Sequence, residues 1–267
     1  MVLAAALVLV LAFVSGCTER GRAGYRDGDK RPKVIVGSDN YPPFNFIDEN
    51  GAPTGIDVDL AREAFSRMGY GVEFAIIDWE NKDELVNSGA IDCIWGSFSM
   101  DGREKKYKWA GSYMISRQVV AVTKISPIQR LRDLEGKLVA VQTTTKPEEV
   151  FMRGAHGRIP QVKKIYSMED RELIYPMLGK GYVDAIAAHE SAIRQYNHDF
   201  GMDYRILDEP LMTVGLGVAF AAADDRGIAE KLDATLKAMQ DDGTTKKILA
   251  KYLGDAERYL EVARIGS

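Results

Sequence analysis

The chain is poor in the residues on which disulfide-bonded, metal-binding and nucleic-acid-binding folds depend. It contains two cysteines, Cys17 and Cys93, and three histidines, His156, His189 and His198. Two cysteines cannot build a disulfide framework, and the histidines lack the spacing of a metal site, so we expect neither a metal nor another cofactor. The formal net charge is −4, without the basic excess of a nucleic-acid-binding protein, so we expect no nucleic-acid partner.

Long hydrophobic runs are also missing after the first seventeen residues, MVLAAALVLVLAFVSGC. This run is too short for a comfortable bilayer span and resembles the apolar region of a signal peptide. Its ending, Val14-Ser15-Gly16-Cys17, resembles the lipobox of bacterial lipoproteins, in which the cysteine is lipidated after cleavage. We therefore expect a lipoprotein signal peptide over residues 1–17 and a lipid, such as palmitate, on Cys17. An ordinary signal peptide or an N-terminal helix is the alternative, and the missing basic residues before the run suggest a translation start upstream.

The segment after Cys17 is basic although the rest of the chain is acidic. Residues 18–33 carry a net charge of +3, which leaves −7 for the residues that follow. We interpret residues 18–32 as a tether that lies near anionic lipid headgroups. Cys93 lies in an apolar strand pattern and is expected to be a small buried hydrophobic residue.

Strands and helices alternate along the first part of the folded region. The segments KVIVGSDNYPPF, GVEFAIID and AIDCIWGSF have the short apolar runs of strands. Between them, GIDVDLAREAFSRMGY and NKDELVNSG have helical spacing and a glycine at the end. This alternation predicts an α/β fold with a mostly parallel sheet that helices cover on both faces.

The same pattern begins again near residue 136, in GKLVAVQTTTKPEEV. A helix, a glycine stop and an apolar strand that holds an aspartate occur twice with the same spacing, first at Leu85, Gly89, Ile91, Asp92 and Ile94 and again at Met177, Gly181, Val183, Asp184 and Ile186. We therefore predict two similar lobes. The final strand VGLGVAFAAA and two C-terminal helices have the size needed to complete the first lobe, which gives two chain crossings. Lobe 1 is then residues 33–118 and 213–267, and lobe 2 is residues 119–212.

Several polar and aromatic residues follow predicted strand ends, where open α/β sheets bind ligands. They are Asp39, Tyr41, Trp79, Ser97, Ser99, Arg103, Thr143 to Lys146, His189 and Glu190. Arg103 follows Gly102, and its guanidinium suits a carboxylate. Pro147 marks a helix start after Thr145 or Lys146, whose free amides also favour an anion. Two such features from different lobes would meet on one ligand carboxylate.

Simpler structural roles compete with these assignments. Arg103 precedes Glu104, Lys105 and Lys106, so taken alone it is typical of a solvated helix start. Trp79 alone is typical of a core aromatic, and Thr143 to Thr145 alone of a loop with a helix cap. His189 alone is more often a hydrogen-bonded structural residue than a catalyst. It is their common position after strand ends that favours a ligand site.

Nearly the whole chain from Val34 to Gly254 resembles the extracellular solute-binding proteins of polar amino-acid ABC importers. The resemblance rests on GSDNYPPFNFIDENGAPTGIDVDLAREA, DWENKDELVNSGAIDCIWGSFSMDGREKKYKWAGSYM, LEGKLVAVQTTTKPEE, LGKGYVDAIAAHES and DDGTTKKILAKYLG. It implies the two-lobed periplasmic-binding-protein fold of type II with two crossovers. It also implies a monomer that is anchored outside the cytoplasm, captures an amino acid or related small carboxylate by hinge closure, and delivers it to an ABC transporter permease.

The resemblance also implies a role for each site residue. Arg103 matches the arginine that clamps the ligand α-carboxylate, and Ser97 and Ser99 match strand-end residues that contact the α-amino and α-carboxylate groups. Thr145 and Lys146 match the helix-start residues whose amides complete the carboxylate site. Tyr41 and Trp79 match aromatic walls of the pocket, and Asp39 matches an aspartate that reads the ligand side chain.

This chain departs from the family pattern at two places in lobe 2. His189 stands where members place the aspartate that binds the ligand ammonium, and an imidazole cannot replace that carboxylate. We therefore expect a carboxylate ligand and leave its α-amino group open. In addition, Thr143, Thr144 and Thr145 stand where a glycine is usual.

Two functions on this scaffold remain as hypotheses. The first is the binding protein described above, with no catalysis. The second is an enzyme that resembles cyclohexadienyl dehydratase, with His189 and Glu190 as an acid/base pair. A receptor that acts through contact with another protein is a further alternative.

Overall fold

The computed structural model describes residues 30–154 and 159–260. The strands are β1 (Lys33–Ser38), β2 (Phe46–Ile47), β3 (Pro53–Thr54), β4 (Gly71–Ile76), β5 (Cys93–Ile94), β6 (Tyr107–Val122), β7 (Leu138–Gln142), β8 (Lys164–Met168), β9 (Ala185–His189), β10 (Arg205–Ile206) and β11 (Met212–Ala221). The α-helices are α1 (Ile56–Arg67), α2 (Lys82–Ser88), α3 (Lys146–Arg153), α4 (Ile174–Gly179), α5 (Glu190–Phe200), α6 (Ile228–Asp241) and α7 (Thr244–Leu249).

One mixed sheet runs through both halves of the described chain in the order β4-β1-β5-β11-β6-β9-β7-β8, with β10 paired to β6. The strands β4, β1 and β5 pair in parallel in the first half, and β8, β7 and β9 do so in the second half. The long antiparallel pair of β6 and β11 lies between them. This arrangement confirms the two-lobed α/β fold.

Strand β6 connects the halves because it pairs with a different partner along each part of its length. Its first part, up to Gln118, pairs with β11, and the part from Gln118 to Ala121 pairs with β9. The chain thus crosses between the lobes within β6 and again before β11. The sequence patterns did not predict β6, and the charged residues after Arg103 form a turn into this strand rather than a helix.

The predicted internal repeat is a structural repeat. Asp92, just before β5, accepts a hydrogen bond through Oδ2 from the Ile35 amide at 2.7 Å. Asp184, just before β9, accepts one through Oδ2 from the Leu138 amide at 2.8 Å. Asp92 therefore links the start of β5 to β1, and Asp184 links the start of β9 to β7 in the same way.

The hydrophobic cores divide between the two lobes. Trp95, Phe65 and Tyr113 are fully buried in the main cluster of the first lobe, together with residues of α1 and α6. In the second lobe, apolar residues on opposite faces of β7 belong to two separate clusters, as a strand covered on both sides requires. The boundaries at residues 118/119 and 212/213 stay predictions. Cys93 is buried and free, as expected.

Helix α1 begins at a close backbone contact that only glycine permits. Gly55 precedes the helix with φ of 122°, and a Cβ built on it would lie 2.2 Å from the Phe44 carbonyl oxygen. The same loop supplies carbonyls to the first turn, because the Ile56 amide donates to Pro43 and the Asp57 amide donates to Phe44. The preceding loop and the helix start thus hold each other in place.

The predicted signal peptide, the Cys17 lipidation site and all of the predicted tether except residues 30–32 lie outside the described residues. Within residues 30–154 and 159–260, no helix combines the length and the apolar character needed to cross a membrane.

Candidate functional site

A cavity of about 430 Å³, including its open mouth, lies between the lobes and is lined by residues around the ends of β5, β7 and β9. Eight of the nine residues predicted for the ligand site line it: Tyr41, Trp79, Ser97, Ser99, Arg103, Thr145, Lys146 and His189. The ligand-binding roles of these residues remain predictions.

Arg103 reaches across the cavity from one lobe to the other. Its guanidinium donates to the Ser99 carbonyl at 3.2 Å in its own lobe and to the Thr144 carbonyl at 3.2 Å in the second lobe. Its Cζ lies 4.9 Å from the centre of the Phe98 ring. Burial lowers the pKa of this guanidinium from its ordinary value. A cation in this position would gain from a carboxylate partner.

The start of α3 faces the same cavity. Thr145 precedes the helix and Lys146 is its first residue, so Pro147 is the second residue and not, as predicted, the first. The amides of the first turn have no partner within the helix, and they carry the positive end of its dipole. The Thr145 hydroxyl donates to the Gln142 carbonyl at 2.6 Å, which fixes the loop before the helix. Arg103 and this helix start therefore form one anion-seeking region.

The loop formed by residues 143–145 contains a left-handed backbone conformation, which is unfavourable for threonine. Thr144 has φ of 56°, in the left-handed region where glycine is favoured. Contacts on both sides hold it there. Its amide donates to Glu148 at 2.6 Å, and its hydroxyl accepts from Lys82 of the other lobe at 2.9 Å. Its carbonyl is the one that Arg103 contacts, so the loop is a direct lobe-to-lobe connection.

Ser97 is held by a buried carboxylate in α1. Its amide donates to Asp57 Oδ2 at 2.6 Å, and its backbone has φ of 47°. Asn45 donates to the same oxygen at 3.1 Å. Burial raises the pKa of Asp57 to about 7, despite these hydrogen bonds. Asp57 is thus a positioning residue for the strand end at which Ser97 and Ser99 lie.

His189 lines the cavity, but other side chains contact both of its ring nitrogens. Gln118 Nε2 lies 2.9 Å from Nε2 and donates to it, so the ring proton is on Nδ1 and is donated to Ser116 Oγ at 2.8 Å. Burial, followed by the charge of Arg171, lowers the imidazole pKa to about 3. His189 is therefore a neutral imidazole fixed against the crossover strand β6.

Glu190 points to the other side of the crossover. Its carboxylate pairs with Arg117 at 2.9 Å and with Arg194 at 2.7 Å. It lines a separate groove beside Arg258 and Tyr259, not the cavity. The hypothesis of an acid/base pair formed by His189 and Glu190 is wrong, because adjacent residues at the end of a strand face opposite sides.

Asp39 lies behind the cavity wall in an adjoining groove. Its Oδ2 accepts from Arg171 at 2.9 Å and from Gln142 Nε2 at 2.9 Å, both in the second lobe. The Arg171 Cζ also lies over the Tyr41 ring, 3.2 Å from its centre. The predicted reader of the ligand side chain is thus engaged in an ion pair between the lobes.

Sequence reasoning missed four polar residues around the cavity: Lys82, Gln118, Gln142 and Arg171. Arg171 follows the end of β8, so the strand-end rule would have found it had that strand been assigned. A single glutamine in the apolar run QVVAV was a visible signal for Gln118. No sequence pattern marked Lys82 as a residue of the site.

Comparison with known proteins identifies the family. The profile of the bacterial extracellular solute-binding proteins, family 3, matches residues 34–255. The chain belongs to this family. It is 30% identical over 264 residues to the histidine-binding periplasmic protein of Salmonella typhimurium, covering 94% of this chain and 96% of the relative.

Solved structures agree with this assignment. An ancestral arginine-binding protein bound to arginine matches with a TM-score of 0.76 at 28% identity, over 84% of this chain and 99% of that one. An ancestral amino acid-binding protein, a precursor of cyclohexadienyl dehydratase, matches with a TM-score of 0.72 at 27% identity, over 82% and 95% of the two chains. Both are binding proteins. This member of the family is a solute-binding protein of the ABC-transporter type.

Proposed function

We propose that this protein is the lipid-anchored component of an ABC importer that captures an amino acid or a related small carboxylate between its two lobes. The observation that carries the proposal is the convergence of the Arg103 guanidinium and the start of α3 on one interlobe cavity. The two features come from different lobes, so a single carboxylate would contact both. The histidine-binding and arginine-binding relatives support a ligand of the size of an amino acid.

Closure about a hinge is the proposed mechanism. The lobes are joined by two crossings, and polar contacts connect their facing surfaces. The His189 amide donates to the Tyr41 hydroxyl at 3.1 Å, and Asp39 and Arg103 make the contacts described above. A ligand that adds contacts to both lobes would select this closed arrangement over an open one. The closed form is then presented to the permease.

Anchoring at Cys17 is the part of the proposal that determines location. A lipid on this cysteine and a basic tether would keep the protein at the outer face of a membrane, close to its permease. Release from cell membranes by Cys17→Ser, measured by fractionation, would support the anchor. Unchanged membrane retention of that variant would contradict it.

The experiment for ligand capture compares Arg103→Ala with the unchanged full-length chain in a thermal-shift screen of amino acids and their 2-hydroxy analogues. A ligand at about 100 times its dissociation constant stabilises the native state by about 2.7 kcal/mol, or about 5–10 °C for a chain of this size. The variant should lose this gain, measured relative to its own ligand-free Tm. Lys105→Ala, which removes an exposed cation two residues away, is the control and should keep the gain. Full stabilisation of Arg103→Ala would contradict the proposed clamp.

A further inference from the structure

The charges around the interlobe cavity are of one sign. Three cations line it, Arg103, Lys146 and Arg171, and no aspartate or glutamate does so among the described residues. Lys146 is paired with Glu149 at 2.7 Å, and Arg171 is paired with Asp39 at 2.9 Å. Arg103 makes hydrogen bonds to carbonyls only. Of the three cations that line the cavity, Arg103 is therefore the one without an acidic partner among the described residues, and a monoanion would neutralise its charge.

The side chain that ends β9 offers no partner for a ligand ammonium. His189 is neutral, one ring nitrogen donates to Ser116, and the other accepts from Gln118. No lone pair of the ring remains for a ligand. The neighbouring Glu190 is directed to the opposite side, where two arginines hold it. An ammonium at this point would be a buried charge without a counter-charge, which is costly.

An uncharged acceptor is available instead. Gln118 lines the cavity and is 3% exposed, and its Oε1 is buried without a hydrogen-bond partner. Its Nε2 lies 2.9 Å from His189 Nε2, which leaves Oε1 on the side of the amide away from the ring. A buried carbonyl oxygen without a donor destabilises the protein until a donor reaches it. A neutral O–H would satisfy it without introducing a second charge.

We propose that the ligand is a monoanionic carboxylic acid whose α-substituent is a hydroxyl rather than an ammonium, that is, a 2-hydroxy acid. Arg103 and the start of α3 hold its carboxylate, and Gln118 accepts its hydroxyl proton in a hydrogen bond. The inference rests on the proposed function and specifies the class of solute. It assigns the choice between a hydroxyl and an ammonium to His189 of β9 and Gln118 of β6, which are paired in the sheet.

The first test is a calorimetric titration of the full-length chain at pH 7 with matched pairs of acids. The pairs are L-alanine and L-lactate, L-leucine and L-2-hydroxy-4-methylpentanoate, L-phenylalanine and L-phenyllactate, and L-histidine and L-imidazolelactate. In the best-binding pair, the hydroxy acid should bind at least about tenfold more tightly than the amino acid. Tighter binding of the amino acid overturns the inference and leaves the proposed function intact. If no acid of either series binds, the proposed function fails and the inference fails with it.

The second test converts the selectivity. Gln118→Glu places a carboxylate at the proposed hydroxyl site with almost no change in shape, and His189→Asp places one at the neighbouring position. Either variant should shift the preference of the best-binding pair toward the amino acid by at least about tenfold. His189→Asn, which has the shape of the aspartate variant without its charge, is the matched control and should not. If Gln118→Glu folds and keeps the full preference for the hydroxy acid, the α-substituent does not lie at Gln118 and the inference is overturned.

Discussion

Replacing His189 with glutamine should change how the stability of the ligand-free protein depends on pH. The imidazole is buried, and its pKa falls from 6.5 to about 3 in the native state. In the unfolded chain it titrates near 6.5. Between these values the unfolded state binds more protons than the native state, so the contribution of His189 makes stability rise with pH. Glutamine keeps hydrogen-bonding groups for Ser116 and Gln118 but does not titrate.

The size of the effect follows from the two pKa values. At about pH 5 the native imidazole is neutral and the unfolded one is almost fully protonated, which lowers the free energy of unfolding by about 2 kcal/mol relative to its value at about pH 7. Any native pKa below about 4 gives nearly the same difference, because the native ring is then deprotonated throughout this range. The wild-type protein should therefore gain about 2 kcal/mol on the variant between about pH 5 and pH 7.

Urea unfolding of both proteins, followed by tryptophan fluorescence at several pH values in this range, measures the difference directly. Titrating groups other than His189 contribute equally to both proteins and cancel. His198→Gln is the control, since His198 is exposed, and it should show a much smaller change. A wild-type advantage over His189→Gln that does not vary with pH would refute the burial argument, since it would mean that the ring titrates normally in the native state.

Two further predictions concern the support of the site. Burial raises the native pKa of Asp57 to about 7, so the stability that this group contributes is lost as pH rises from about 4 to 7. In urea unfolding, the free energy of unfolding of Asp57→Asn should therefore rise relative to that of the wild type by up to about 1.4 kcal/mol per pH unit. Parallel curves of unfolding free energy against pH would contradict the assigned shift. Gly55→Ala should lower the free energy of unfolding by about 3 kcal/mol or more, because its Cβ would lie 2.2 Å from the Phe44 carbonyl oxygen. Gly89→Ala should lower it by about 1 kcal/mol, because Gly89 has φ of 76° but open space around it. Equal losses of Tm for the two glycine variants would show that the backbone contact is not what requires Gly55.

A residue of the candidate site could be predicted from the sequence where the strand before it had been assigned. Arg103, Ser97 and Ser99 follow one assigned strand, and Thr145 and Lys146 follow another, so the geometry of parallel sheets placed them at one edge before any contact was known. Arg171 was not predicted, because the preceding strand β8 was not assigned from the sequence. Asp39 was assigned to the ligand because nothing local shows that Arg171, 132 residues away, pairs with it.

The sequence by itself determined the α/β class, the internal repeat, the family and the polar residues that follow each strand. These properties depend on spacing along the chain, which hydrophobic periodicity and glycine stops record directly. The tertiary structure alone decided which of those residues remain available to a ligand. His189, Asp39 and Glu190 are polar residues after strand ends like Arg103, yet each is engaged by a partner far away in sequence, whereas Arg103 has no acidic partner among the described residues. Availability depends on contacts across the sheet and between the lobes, and a linear pattern does not record them.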